Sequence, residues 1–148
     1  MRTKLALLAL AASVALVAGC GGGGGDRLSK EEYIAAADAI CAEANSSIDA
    51  LGEPTEETFD DYITKAEEIS REQLDKLRAL KPPADDEATL NRAYDLVEQQ
   101  IALAVKASEA LKNQDQAAIE KASAEIDTLN AEADKIANDY GLKECGQS

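Results

Sequence analysis

The sequence predicts an all-α fold: an up-down-up-down four-helix bundle with a C-terminal tail tied to helix one by a disulfide. Four segments space their apolar residues by three and four positions, which is typical of amphipathic helices. Short connections separate these segments and favour antiparallel neighbours. Aromatic residues are scarce, with one Phe, four Tyr and no Trp. This composition favours helices over a β-sandwich.

The first helix is expected over residues 29–51. Ser29, with Glu32 three residues later, has the pattern of a capping box, which starts a helix by satisfying two backbone N–H groups. Gly52 is expected to end the helix, because glycine readily takes the left-handed conformation that follows a last turn. One face of this helix carries the apolar or small residues Tyr33, Ala37, Ile40, Cys41, Ala44, Ile48 and Leu51.

The second helix is expected over residues 55–81. Thr55 follows a proline, and the acidic pair Glu56–Glu57 suits the positive end of a helix in its first turn. Pro82–Pro83 end the helix, because proline disfavours the helical conformation in the residue before it. The core face of this helix is predicted to be Phe59, Tyr62, Ile63, Ala66, Ile69, Leu74, Leu77 and Leu80.

The third and fourth helices are expected over residues 86–112 and 115–140, with Asp115 as an N-cap and Gly141 as the final stop. The third has a broad apolar face, which predicts contact with two neighbours. Many core positions of the bundle are small: Ala37, Ala44, Ala66, Ala104, Ala122 and Ala133. Close packing is the default expectation for such a core, and a pocket between the helices is the alternative.

The N-terminus has the three parts of an export signal. Arg2 and Lys4 precede the apolar run Leu5–Val17, which is shorter than the ~20 residues of a membrane-spanning helix. The residues Val17-Ala18-Gly19-Cys20 then resemble the lipobox of bacterial lipoproteins. The resemblance implies a diacylglycerol on the Cys20 sulfur, as in palmitate-bearing lipoproteins, and cleavage between Gly19 and Cys20.

The domain organisation follows from this signal. Residues 1–19 are the predicted lipoprotein signal peptide, residues 20–28 the lipidated cysteine with a glycine-rich tether, and residues 29–148 the four-helix bundle domain. Acyl chains anchor a protein stably when two or more are present. We therefore expect the protein at the cell membrane, lipid-anchored on the extracytoplasmic side.

Charge limits the partners of the domain. After removal of the leader the chain has 13 basic and 29 acidic residues. Nucleic acid is not an expected partner, because phosphate binding depends on Lys and Arg. The membrane is expected to be contacted through the lipid on Cys20 rather than through a basic surface.

Cys41 and Cys145 are predicted to form a disulfide. They are the two cysteines left once Cys20 is acylated, and exported domains permit disulfides. The start of helix one and the end of helix four share one end of the bundle, so the tail can reach Cys41. The alternative is a redox role, which the absence of a Cys-x-x-Cys motif disfavours.

No catalytic residue, metal site or cofactor is expected. The chain has no histidine, and its one methionine is the initiator. This composition removes Ser-His-Asp and Cys-His catalysis and His-ligated metal sites. The acidic groups Glu67–Glu68, Asp60–Asp61 and Asp85–Glu87 are interpreted as solvated helix surfaces, with weak association of divalent cations as the alternative.

Tyr33, Tyr94 and Tyr140 are expected to meet at the tether end of the bundle, because helices one and three begin where helix four finishes. A tyrosine joins an apolar ring to a polar hydroxyl. Two interpretations are open. The rings close an alanine-rich core, or they form a small aromatic binding site.

Three further segments resemble those of small, uncharacterised helical envelope lipoproteins of actinobacteria and related high-GC bacteria. The segments are Ala37-Asp38-Ala39-Ile40-Cys41, Leu77-Arg78-Ala79-Leu80-Lys81-Pro82-Pro83-Ala84-Asp85 and Tyr140-Gly141-Leu142-Lys143-Glu144-Cys145-Gly146. The resemblance implies the helical fold, the disulfide and the membrane address. It implies no activity and no catalytic residue.

Two functions are compatible with these features. The favoured hypothesis is a non-enzymatic, membrane-tethered envelope interaction or structural module that contacts another envelope protein. The alternative is a small-molecule or lipid-binding module with a pocket between the helices. A cavity of several hundred Å3 favours the second hypothesis.

The first test concerns the anchor. Replacing Cys20 with Ala removes the sulfur that carries the lipid, so the Cys20→Ala chain should lose metabolic palmitate label and lipoprotein-type cleavage. Labelling followed by membrane fractionation measures both properties. Label that persists on the variant would contradict the lipobox interpretation.

Overall fold

The protein, seen in a computed structural model, is described over residues 27–55 and 57–146. This part of the chain is all-helical, which confirms the predicted fold class. Each helix runs antiparallel to the next in sequence. The helices are α1 (Lys30–Asp49), α2 (Phe59–Ala79), α3 (Glu87–Lys112) and α4 (Gln116–Tyr140).

Several predicted features lie outside the described residues, which exclude 1–26, Glu56 and 147–148. The signal peptide, cleavage between Gly19 and Cys20, the lipid and the glycine tether therefore stay predictions. Among the described residues, no helix is long and apolar enough to cross a membrane.

The predicted caps of α1 and α4 are confirmed. The Ser29 hydroxyl accepts from the Glu32 N–H at 3.3 Å, and the Glu32 carboxylate accepts from the Ser29 N–H at 2.9 Å, so the capping box is complete. The Asp115 carboxylate accepts from the Ala118 N–H at 3.1 Å. These bonds satisfy backbone donors that a first helical turn leaves free.

The predicted start of α2 at residue 55 is wrong, because the helix begins at Phe59. Thr55 and Thr58 form a local turn in which each hydroxyl accepts from the other's backbone N–H, at 2.9 and 3.3 Å. Threonine competes for backbone groups in this way and favours turns over helix interiors. The acidic residues of the first turn are therefore Asp60 and Asp61.

Two described residues ahead of the predicted boundary at Ser29 contact the α2–α3 connection. The Arg27 guanidinium donates to the Pro82 carbonyl at 2.9 Å and to the Glu87 carboxylate at 2.7 Å. The Leu28 N–H donates to the Lys81 carbonyl at 2.8 Å. The predicted boundary between tether and domain stays a prediction.

The broad apolar face of α3 is present, but its last turn differs from the prediction. Leu90 and Leu96 are both 1% exposed. Leu111, placed on the core face by its spacing, is 46% exposed, whereas Ala110 is buried. In the last turn of α3 the buried position is therefore Ala110 instead of Leu111.

The packed core occupies the tether end of the bundle. Its buried members are Tyr33, Ala37, Cys41, Leu74, Leu77, Leu90, Tyr94, Ala137, Tyr140 and Leu142. All of these residues lie within the described part of the chain, which therefore has its own hydrophobic core. An opening lies between the backbones of α1 and α4, because no Cα atom of α1 lies within 8 Å of a Cα atom of α4.

The C-terminal tail fills this opening between α1 and α4. Gly141 ends α4 with a φ of 106°, which favours glycine, and the chain turns back. Leu142 is buried, and the Asp38 carboxylate accepts from the Lys143 and Glu144 N–H groups, both at 2.9 Å. The predicted disulfide between Cys41 and Cys145 is confirmed, with Cα atoms 5.1 Å apart.

Loss of the disulfide should lower the free energy of unfolding by about 2–5 kcal/mol, because it closes a loop of 104 residues in a small domain. Thermal melts of Cys41→Ser and Cys145→Ser measure the loss. Thiol labelling of the denatured, unreduced protein is the control. Free thiols in the wild type, or unchanged melting in both variants, would contradict a structural bond.

Candidate functional site

A cavity of about 340 Å3 lies between the helices and is partly open at its rim. Pockets for small ligands typically have volumes of ~300–1,000 Å3, so this one is at the small end of that range. A sealed, empty cavity of this volume would cost roughly 8 kcal/mol at ~24 cal/mol per Å3. Because the rim is open, solvent or a ligand can occupy it.

All four helices and the tail contribute to the walls, which are mainly apolar. Leu74, Val97 and Ile101 are central examples, and both disulfide cysteines take part. The polar residues of the wall are Asn45, Glu67, Ser70, Gln73, Tyr33, Tyr94, Gln100, Asn130, Asp134 and Glu144. The small residues are Ala66, Ala93, Ala104, Ala133 and Ala137.

The sequence explains why this space stays unfilled. Ala66, Ala104 and Ala133 stand at inward positions on three different helices, and each supplies one methyl group. The separation of α1 from α4 adds to the space. The default expectation of close packing throughout is therefore wrong, and the pocket that stood as its alternative is present.

Tyr33 and Tyr94 form the base of the cavity. Tyr33 is fully buried, and its hydroxyl bonds that of Tyr94. The Tyr94 hydroxyl also bonds the Leu77 carbonyl at 3.3 Å. A carbonyl can only accept, so the Tyr94 hydroxyl donates to Leu77 and Tyr33 donates to Tyr94. This chain satisfies both hydroxyls without solvent.

Tyr140 joins the same end but does not line the cavity. Its ring lies edge-on to that of Tyr33, with centroids 5.7 Å apart. Its hydroxyl donates to the Asp86 carboxylate at 2.9 Å, and the Lys30 ammonium lies 4.3 Å from its ring centre. The three predicted tyrosines are therefore brought together, and two of them contact the cavity.

Burial keeps these tyrosines protonated. Burial is the main cause that raises the pKa of Tyr33 far above its usual range, and the hydrogen bond to Tyr94 raises it further. Burial likewise raises the pKa of Tyr94 and, with the bond to Asp86, that of Tyr140. Desolvation disfavours the phenolate, so all three hydroxyls are neutral hydrogen-bonding groups at neutral pH.

The wall offers little for covalent chemistry. Its one serine hydroxyl, on Ser70, donates to the Ala66 carbonyl at 2.8 Å, and its cysteines share the disulfide. Among residues 27–55 and 57–146, no three His, Cys, Asp or Glu side chains are placed to hold a metal ion. The arrangement is suited to non-covalent binding of an apolar molecule.

The acidic groups noted in the sequence mostly contact cations or hydroxyls. Glu67 pairs with Arg71 at 2.8 Å, and Asp60 with Lys112 at 3.1 Å. Asp86 accepts from Tyr140. These side chains do not converge on a common point, and they behave as helix-surface partners.

Sequence reasoning missed the amide residues of the wall, of which Gln100 is the clearest. Its side-chain nitrogen is buried and has no hydrogen-bond partner. A signal was present, since Gln100 stands between the apolar positions Val97 and Ala104 at helical spacing. A glutamine inside such a stripe differs from the neighbouring Gln99, which is exposed and donates to the Asp95 carbonyl at 3.0 Å.

Comparisons of the chain with protein-family models, with curated proteins and with solved structures find no match. The cavity and the residues that line it therefore carry the functional proposal.

The tyrosine chain predicts a loss of stability at alkaline pH. The pKa of each of these tyrosines is higher in the folded than in the unfolded state. The free energy of unfolding therefore keeps its full value below pH ~10, the pKa of an unfolded tyrosine, and falls as the pH rises above it. Tyr33→Phe should cost about 1 kcal/mol at pH 7 and make the alkaline decline shallower. Urea denaturation from pH 7 to 11 measures both effects.

The control for this experiment is Tyr62→Phe, which removes one hydroxyl from α2 outside the cluster. The control should keep the wild-type decline above pH 10. An identical alkaline profile for wild type and Tyr33→Phe would contradict the hydrogen-bonded chain.

Proposed function

We propose that this protein is a membrane-tethered, extracytoplasmic binding protein for a small apolar molecule. The cavity between the four helices carries the proposal, because its volume of about 340 Å3 lies within the range of ligand pockets. The lipid on Cys20 and the address outside the cytoplasm belong to the proposal and rest on the lipobox resemblance.

The composition of the wall supports an apolar ligand. Most lining side chains are aliphatic, and the tyrosine hydroxyls at the base are bonded to each other and to the backbone. A ligand therefore gains free energy chiefly by removing apolar surface from water, at ~25 cal/mol per Å2. The few polar side chains are left to set orientation and specificity.

We also propose that binding is not followed by a chemical step. The chain has no histidine. The Ser70 hydroxyl is engaged by the backbone, and both cysteines of the wall are joined to each other. Covalent catalysis requires a nucleophile that gives its proton to an adjacent general base, and the Ser70 hydroxyl donates to the Ala66 carbonyl rather than to a carboxylate of the wall.

The hypothesis of an envelope interaction or structural module, favoured by the sequence, stays a prediction. A cavity of several hundred Å3 was the feature that would distinguish the two hypotheses, and its presence favours the binding module. A carrier tethered to a membrane can also contact other envelope proteins, so the two roles do not exclude each other.

The test fills the cavity. The probe is N-phenyl-1-naphthylamine, an uncharged dye that fluoresces in apolar sites. The protein is the predicted mature chain, residues 20–148, with Cys20→Ser so that no acyl chain of its own competes. Ala104→Leu adds a bulky side chain to the wall and should raise the dissociation constant at least about tenfold, or ~1.4 kcal/mol.

The matched control is Ala102→Leu, the same substitution at an exposed position of the same helix. It should bind the dye like the unsubstituted chain. Failure of the unsubstituted chain to bind, or equal binding by the Ala104→Leu variant, would overturn the proposed pocket.

A further inference from the structure

Gln100 is an anomaly in the cavity wall. Within the described part of the chain, its Nε2 is the one buried side-chain nitrogen or oxygen without a hydrogen-bond partner. Such a group gives up its hydrogen bonds to water without replacing them, and most native proteins avoid it. A retained donor of this kind beside a cavity indicates a partner that the protein itself does not supply.

Two other glutamines, Gln99 and Gln73, have hydrogen-bond partners for their side-chain nitrogens. Gln99, one residue earlier on α3, is exposed and donates to the Asp95 carbonyl. Gln73, in the cavity wall on α2, donates to the Cys41 sulfur at 3.2 Å. Of these three glutamines, Gln100 alone has a buried side-chain nitrogen without a hydrogen-bond partner among the described residues.

Gln100 is one of the residues that line the cavity. Its neighbours in the wall on α3 are Val97, Ile101 and Ala104. Low polarity in such surroundings strengthens a hydrogen bond from the amide to an acceptor.

Charge limits what that acceptor can be. The charged side chains of the wall are Glu67, Asp134 and Glu144, all carboxylates, and the whole chain has a net charge of −14. An anionic head group would be repelled. A neutral acceptor is therefore favoured, and a carbonyl accepts from the amide without bringing a donor of its own.

We infer that the ligand is an uncharged, apolar small molecule bearing a carbonyl oxygen, as in a ketone or ester, which accepts from the Gln100 amide. The inference rests on the proposed function. The cavity holds about 340 Å3. A whole diacyl phospholipid exceeds that space, which favours a free small molecule as the bearer of the carbonyl.

The experiment compares probes that differ only in the head group. Octane, 2-octanone, methyl octanoate and octanoic acid compete with N-phenyl-1-naphthylamine for the mature chain with Cys20→Ser at pH 7. The ketone and the ester should bind more tightly than octane and than the acid. Gln100→Met keeps the length of the side chain but removes the amide, and it should weaken the ketone three- to tenfold, with octane changed by less than about twofold.

Gln99→Met is the matched control and should leave all four affinities within about twofold. Ligand-free melting is the second readout. Gln100→Met should melt at or above the wild-type temperature, because a buried donor without a partner has been removed. A lower melting temperature would show that Gln100 serves the fold and would overturn the inference.

The remaining outcomes separate this inference from the function on which it rests. Dye binding with no preference for the ketone over octane, or with the same preference after Gln100→Met, overturns the carbonyl ligand and leaves the pocket. Octanoic acid binding as tightly as 2-octanone overturns the uncharged head group. Phospholipid recovered by mass spectrometry after incubation with phosphatidylcholine vesicles overturns the small-molecule assignment. Absence of any binding overturns the proposed function itself.

Discussion

The Cys41–Cys145 disulfide is the constraint on which the shape of the cavity depends. It holds the tail in the opening between α1 and α4, whose Cα atoms come nowhere within 8 Å of each other. Leu142, Glu144 and both cysteines thereby become part of the cavity wall. The cross-link stabilises the fold mainly by limiting the unfolded chain, and the same bond also gives the site one of its sides.

The packed core and the cavity share residues. At the tether end, tyrosines and leucines pack together, hydrogen bonds satisfy the buried hydroxyls, and most of these side chains also line the cavity. Alanines at facing positions leave the rest of the cavity unfilled. The small core of a small domain provides only marginal stability. The disulfide and the packing at the tether end compensate for the apolar contacts that are lost around the cavity. Binding of a ligand would add to that stability.

Local rules predicted the helices well. The capping box at Ser29, the N-cap at Asp115 and the stop at Gly141 are visible as short-range patterns. The pairing of Cys41 with Cys145 followed from topology. The start of α2 was missed because Thr55 and Thr58 bond each other, which competes with the helix. From the sequence, the cavity could be given only as the alternative to close packing. The spacing of apolar residues shows which residues face inward, but it does not show how far apart the helices lie.

In our proposal an uncharged apolar molecule occupies the cavity and contacts α2, α3 and α4. Nuclear Overhauser effects between 2-octanone and the methyl groups of the mature chain with Cys20→Ser measure this contact. We expect contacts with Ile63, Val97, Ile101 and Ile126, which line the cavity on these three helices. Leu96, buried elsewhere, and Leu111, exposed, serve as internal controls. Contacts confined to Leu111, or contacts with no methyl group of the wall, would contradict it.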